Sequence, residues 1–253
     1  MSMHPVPELT TSPKYPAESV ALDQLTGLLR MPPPAQARLA GARIGLQRMA
    51  PHDVLYRSGD AFESFYVVLS GLLKLAAVDA GGREQVLAFV LSGETAGLDG
   101  FQVGNHCSEA TALDAVEVAL VPLAKLERLA QLAGEREFAD QLLHRILTRA
   151  MLHDGGALCL LETLDARTRV AALLLSLGKR SGCVGPPSAA VALPMTPTEI
   201  GSYLRLATEA VAGVLSEFAA AGLIGFDDGA VSLENLSGLA QVVEQGRQPK
   251  PVH

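Results

Sequence analysis

The sequence predicts an α+β protein: a jelly-roll β-barrel, then one long helix, then a C-terminal winged helix-turn-helix. Three observations carry this. Between about Ile44 and Pro122, short apolar runs alternate with glycine-bearing turns, as in sandwiches and barrels. From Leu123 the apolar period becomes helical. Residues 196–224, TPTEIGSYLRLATEAVAGVLSEFAAAGLI, then hold two short helical patterns with a tight break between them.

Taken in order, residues 1–18 are rich in Pro, Ser and Thr and read as a disordered terminus. Residues 19–30 read as a short amphipathic helix through Val20, Leu22, Leu25, Leu28 and Leu29, stopped by Pro32–Pro34. Ala35–Ala40 reads as a second. The strands of the barrel domain, 19–133, are Val54–Tyr56, Phe65–Leu69, Leu72–Val78, Gln85–Leu91, Ala110–Ala112 and Val116–Val121. Leu123–Ala133 reads as a short helix.

A long helix follows, assigned to 134–164 as a dimerisation element. Leu143, Ile146, Ala150, His153, Ala157, Leu160 and Leu164, with Ala139 before them, alternate steps of four and three. That is a heptad seam, which at this length pairs two copies or lies buried on its own barrel. Gly155-Gly156 weakens it by roughly 1 kcal/mol per glycine. The C-terminal domain spans 165–245. Asp165 caps a helix over Ala166–Leu177, and Gly178–Ser188 is a loop. Thr196 and Glu199 make a capping box on the first short helix, and Thr208 caps the second, with Val211, Val214, Leu215 and Phe218 on its apolar face. Gly225–Leu233 reads as a hairpin turning at Asp-Asp-Gly. Leu236–Val243 is a last helix, and 246–253 a disordered tail.

Two helices so joined fit a unit that places its second helix in a DNA major groove; an ordinary helical hairpin has the same spacing. The formal net charge of −7 argues mildly against nucleic acid. Cys107, Cys159 and Cys183 lack metal-type pair spacing and read as reduced cytosolic thiols. The N-terminus does not read as a secretory signal, and no apolar run is long enough to span a bilayer, so a cytoplasmic protein without membrane contact is expected. A metalloenzyme on such a barrel needs clustered His and Glu ligands. Only His52 and His106 fall in the barrel, far apart, so neither catalysis nor a metal site is expected.

The chain resembles the Crp/Fnr superfamily of bacterial transcription regulators, nearer its Fnr-like branch. ESFYVVLSGLLKLAAVDAGGREQVLAFVLSGETAGLDGF looks like the family's cyclic-nucleotide-binding-like barrel core, with turn glycines Gly71, Gly82 and Gly93. LDARTRVAALLLSL looks like the helix after the dimer helix, and LPMTPTEIGSYLRLATEAVAGVLSEFAAAGLI like the DNA-binding unit. The resemblance covers about residues 20–245. It implies a homodimer that binds a palindromic promoter site, with RNA polymerase as a further partner and an unidentified signal sensed by the barrel. The alternative is a degenerate member acting through protein partners.

The departures are specific. Oxygen-sensing relatives hold an iron–sulfur cluster on N-terminal cysteines and one barrel cysteine. Here the first 106 residues contain none, and the matching barrel position is Ala119, so no cluster and no cofactor is expected. A haem on His52 or His106 stays open. Cys107 reads as a partly buried inert thiol, with a redox role as the alternative. Nucleotide-binding relatives seat the cyclic phosphate on Arg-Ser; here the position reads Cys107-Ser108, and Glu94, Asp99 and Glu109 repel a phosphate. cAMP and cGMP are therefore not expected to bind well. The expected DNA contacts are Thr196, Thr198, Ser202, Arg205, Thr208, Glu209, Ala212 and Gly213. Relatives carry Glu, then Ser or Gly, then Arg on the reading helix; here these are Glu209, Ala212 and Gly213, with Glu217 at a position often basic. Gly213 makes no guanine contact, so specificity is altered or weakened.

Overall fold

A computed structural model describes residues 18–21, 43–78, 81–124, 164–181, 191–227 and 230–247. The readings on Leu22–Ala40, Ala35–Ala40 included, on the helix 123–133 beyond Ala124, and on the heptad seam before Leu164 lie outside these residues. Among the described residues, nine strands form the N-terminal part: β1 (Ser19–Ala21), β2 (Arg43–Met49), β3 (Val54–Tyr56), β4 (Ser64–Ser70), β5 (Leu73–Val78), β6 (Glu84–Val90), β7 (Thr95–Ala96), β8 (Glu109–Ala112) and β9 (Val116–Pro122).

They pair into two antiparallel sheets, β1-β2-β9-β4-β7 and β3-β8-β5-β6. One core fills the space between: Met49 and Val118 from the first sheet meet Tyr56, Leu73, Val90 and Ala110 from the second. β9 lies centrally in its sheet, and Val116, Val118, Ala119, Leu120 and Val121 are all buried, which is why it reads as a near-continuous apolar run. Ala119, the position where relatives place a cysteine, is fully enclosed. Gly71 turns the chain at φ 83, and a Cβ there would stand 2.5 Å from the Ala115 carbonyl, so no other residue fits without a shift.

Residues 19–21 are strand where a helix was expected. Ser19, Val20 and Ala21 pair with Gly45, Ile44 and Arg43. Burial of Val20 and a sheet edge open for pairing override a weak local period. β7 was also missed, being only two residues long.

The C-terminal part begins with α1 (Ala166–Ser181), whose first turn is closed by the Thr168 N–H donating to Asp165 Oδ1 at 2.9 Å. Val170, Leu174 and Leu177 are fully buried. Then come β10 (Val191–Leu193), α2 (Pro197–Leu204), α3 (Thr208–Ala220), β11 (Ile224–Asp227), β12 (Ala230–Leu233) and α4 (Leu236–Arg247). β10 was not foreseen. It pairs with β12 and makes a three-stranded sheet, β10-β12-β11. Ile200, Leu204, Val211, Leu215 and Phe218 join α1 and α4 in one apolar core that continues into the barrel through Val86, Phe89 and Leu91. Burying a Leu or Phe side chain stabilises by about 1.5–3 kcal/mol, so this shared core binds the two parts firmly.

Candidate nucleic-acid interface and effector pocket

α2 and α3 form the helix-turn-helix. Thr196 Oγ1 accepts the Glu199 N–H at 3.2 Å, and Glu199 Oε2 accepts the Thr196 N–H at 2.9 Å, completing the expected capping box. Arg205 closes α2 in the left-handed region, φ 54 and ψ 48, and its N–H returns to the last-turn carbonyls. A Cβ on Gly201 would lie 2.8 Å from the Leu206 carbonyl, so the tight turn between the helices depends on a glycine there. The residue capping α3 is Ala207, not Thr208. Ala207 holds the extended cap conformation, no side chain caps the helix, and Thr208 is already its first helical residue.

The predicted DNA contacts divide into two groups. Thr196, Thr198, Arg205, Glu209 and Gly213 are exposed, and Thr208 and Ala212 are half-buried beside them. Gly213 faces open space, and a Cβ there would meet no atom within 4 Å. Glu217 is turned to Arg167, whose Nε donates to it at 2.7 Å. Ser202 belongs elsewhere. Its hydroxyl accepts the Val86 N–H at 2.9 Å and donates to the Glu84 carbonyl at 3.1 Å, and the Gln85 side-chain amide donates to the Ser202 carbonyl. It therefore caps the open edge of β6 and ties α2 to the barrel. Lys74 strengthens the joint, reaching Glu84 at 2.8 Å and Glu199 at 3.2 Å. Burial disfavours the Lys74 ammonium, but the two carboxylates outweigh it and raise its pKa. Tyr203 packs on Phe89 with ring centroids 5.4 Å apart.

Between barrel and helix-turn-helix lies a cavity of about 390 Å³. Its walls are apolar (Leu75, Phe89, Val90, Leu98), and Arg180 and Tyr203 reach into it from the C-terminal part. Arg180 donates through Nε to Glu94 Oε1 at 2.8 Å and through a terminal nitrogen to Glu94 Oε2 at 2.5 Å and the Phe89 carbonyl at 2.6 Å. Glu94 is 5% exposed, and its Oε2 also accepts the Leu91 N–H at 3.0 Å. Sequence reasoning missed this ion pair. A basic residue ending a helix reads as a match for the helix dipole, and nothing local names its partner.

At the floor, Asp99 accepts from the N–H groups of Cys107 and Ser108, both at 2.8 Å, and from the Ser108 hydroxyl at 2.7 Å. His106 Nδ1 lies 3.1 Å from its other oxygen. Burial disfavours the charged form, but the hydrogen bonds from His106, Ser108 and Cys107 outweigh it, so the Asp99 carboxyl sits below its ordinary pKa. His106 is buried and stacked on Tyr56 at 3.8 Å. His52 is exposed in a left-handed turn. Cys107 is exposed rather than partly buried, because its loop turns the thiol outward while its N–H turns in to Asp99. Among the described residues no group of three His, Cys, Asp or Glu could hold a metal ion, and no helix is long and apolar enough to cross a membrane.

Comparison with known proteins agrees with this architecture. The family model described as the cyclic nucleotide-binding domain matches residues 46–132, and the Crp-like helix-turn-helix domain matches 168–242. The transcriptional regulatory protein btr of Bordetella pertussis is 33% identical over 76% of this chain and 78% of its own. The fumarate and nitrate reduction regulatory protein of Escherichia coli is 30% identical over 76% of each. The solved structure of FixK2 from Bradyrhizobium japonicum superposes with a TM-score of 0.66 at 27% identity, covering 79% of this chain and 96% of that one. A barrel of this topology joined to a winged helix-turn-helix defines a DNA-binding transcription regulator. The chain belongs to the Crp/Fnr family of such regulators. These relatives favour DNA over a protein partner as its target.

Proposed function

We propose that the protein reads a promoter palindrome as a homodimer, joined through residues 134–164 along the seam Leu143, Ile146, Ala150, His153, Ala157, Leu160 and Leu164. The barrel domain, 19–133, senses the signal, and the winged helix-turn-helix, 165–245, contacts DNA in the cytoplasm and acts with RNA polymerase. The observation that carries the reading is the exposed outer face of α3, with Glu209 and Gly213 on it, held by an intact capping box and turn. Thr196, Thr198, the N–H groups that open α2, and Arg205 contact phosphate; Glu209 accepts from a cytosine amino group, with Thr208 and Ala212 at the groove. Ser202 serves the joint with the barrel instead, so a signal in the cavity reaches α2 through Ser202, Tyr203 and the Arg180–Glu94 pair.

Between residues 191 and 247 the only basic residues are Arg205 and Arg247, against seven acidic ones. Few phosphates are neutralised, so binding weakens only shallowly with salt. The test is titration of wild type and Gly213→Arg against an Fnr-type palindrome and the protein's own promoter region at two salt concentrations. Wild type is expected to bind weakly with low discrimination. Gly213→Arg gains a guanine contact of roughly 1–3 kcal/mol. Absence of binding by both proteins to both DNAs would refute the DNA reading.

A further inference from the structure

A second cavity, of about 260 Å³, lies between the two sheets, lined from β2, β4 and β9 on one side and from β3 on the other. Strand alternation decides which side chains face it. Tyr66 stands opposite Leu120 and Val68 opposite Val118, so Ser64, two residues before Tyr66, shares their inward face. Gln47 stands opposite Val118 and two residues before Met49; both of those belong to the core, so Gln47 also points inward. Inward positions call for apolar residues, yet these two carry an amide and a hydroxyl. Ser64 is 4% exposed, and neither it nor Gln47 hydrogen-bonds through its side chain to another described residue. An inward polar group without a partner costs stability against an apolar one, so both positions point to an occupant.

The lining sets the charge of that occupant. Asp60 and Glu63, both exposed, stand at the mouth, and no Lys or Arg is among the described residues that line the cavity. Asp60 Oδ2 accepts the Arg57 N–H at 2.8 Å, which fixes the carboxylate and leaves its other oxygen for a ligand. The Ser64 and Gln47 oxygens accept N–H groups as well. The wall is aromatic: Tyr56 and Tyr66 stack with ring centroids 5.6 Å apart. Aromatic rings cover an alkyl chain and attract a cation. The volume lies below the about 300–1,000 Å³ of pockets for drug-sized ligands, so the occupant is small.

We infer that this cavity binds a small primary alkylammonium ion, with its N–H groups on Gln47, Ser64 and Asp60 and its chain against Tyr56 and Tyr66. The site is separate from the cavity that faces α2, and His106 joins the two. His106 lines this cavity, and its N–H donates to the Asp60 carbonyl at 2.9 Å. Its Nδ1 lies 3.1 Å from Asp99, which lines the other. An occupant seated on Asp60 therefore bears on the walls of the cavity that Arg180 and Tyr203 enter. That consequence rests on the sensing role proposed above for the barrel; the binding itself does not.

The experiment is thermal denaturation of the full-length protein at neutral pH in rising n-butylammonium chloride. Sodium chloride at matched ionic strength and n-butanol, the uncharged counterpart, are the controls. Wild type is expected to melt several degrees higher in butylammonium, saturably, and in neither control. Gln47→Leu should melt at or above the wild-type temperature without ligand, since an apolar residue suits its inward position, and should lose most of the shift. Asp60→Asn keeps an oxygen for the Arg57 N–H and should lose most of the shift too. A wild-type shift no larger than in sodium chloride, an equal shift in butanol, or a shift in either variant equal to that of wild type would overturn the inference. If Asp60→Asn does not fold, Gln47→Leu carries the test alone. Titration of DNA with and without butylammonium separates the two readings: stabilisation with unchanged DNA affinity keeps the site and refutes its part in sensing.

Discussion

Replacing Arg180 by alanine tests whether the barrel and the DNA-binding part are energetically one unit. The guanidinium makes two bonds to Glu94 and one to the Phe89 carbonyl, with its side chain 21% exposed and that of Glu94 only 7%. Removing one partner of a fully buried pair costs about 3–5 kcal/mol, because the other charge is left without compensation. Here water reaches Arg180, and Glu94 keeps the Leu91 N–H, so a loss of about 2–3 kcal/mol is expected. For a chain of this size that lowers the melting temperature by about 4–12 °C. Urea denaturation followed by circular dichroism measures the loss. Arg180→Ala/Glu94→Gln should regain part of it, since the neutral side chain no longer needs a counter-charge. A loss below about 1 kcal/mol, the value of an exposed pair, would refute the view that this contact couples the two parts.

Three further outcomes follow from the same geometry. Gly201→Ala should cost about 1–3 kcal/mol, because its methyl meets the Leu206 backbone carbonyl, and an unchanged melting curve would show that the turn between α2 and α3 has slack. Gly213→Arg should leave stability unchanged or raise it by up to about 1 kcal/mol through helix propensity, since the position opens on solvent; a clear loss in the same melt would contradict that. Asp99 has a lowered pKa in the fold, so its stabilisation is complete above its unfolded value of about 3.9 and is lost as pH falls through the lower folded value. Asp99→Asn should therefore be less stable than wild type at neutral pH, and the gap should close as pH falls below about 4; parallel curves in acid denaturation would exclude Asp99 as the linked group.

Periodicity made most of the fold readable. β3 was placed to the residue, and β4, β5, β6, β8 and β9 to within one, because alternation and turn glycines are local signals, whereas β2 was not read as a strand. The α2–α3 unit was readable from its capping box and from two helical apolar patterns with a tight break between them. The failures share a cause. β1 and β10 are three-residue strands that exist only because a partner edge lies open, at Ile44 and at Ser232, far along the chain. The cap of α3 went to Ala207 because the tight exit from Arg205 sets the backbone there, whatever hydroxyl follows.

The site was readable in its residue types but not in its pairings. Glu94 finds Arg180 across 86 residues and Val86 finds Ser202 across 116, and no local pattern encodes either. Asp99 shows what this changes. From sequence it stands as a negative charge that would repel a phosphate, an effect that screening and distance weaken. In the fold it consumes the Cys107 and Ser108 N–H groups and the Ser108 hydroxyl, the donors a phosphate would need. Repulsion would only weaken a nucleotide's hold, whereas occupation removes the seat. Exclusion of anions by wild type should therefore persist at high salt, where repulsion is screened and occupation is not.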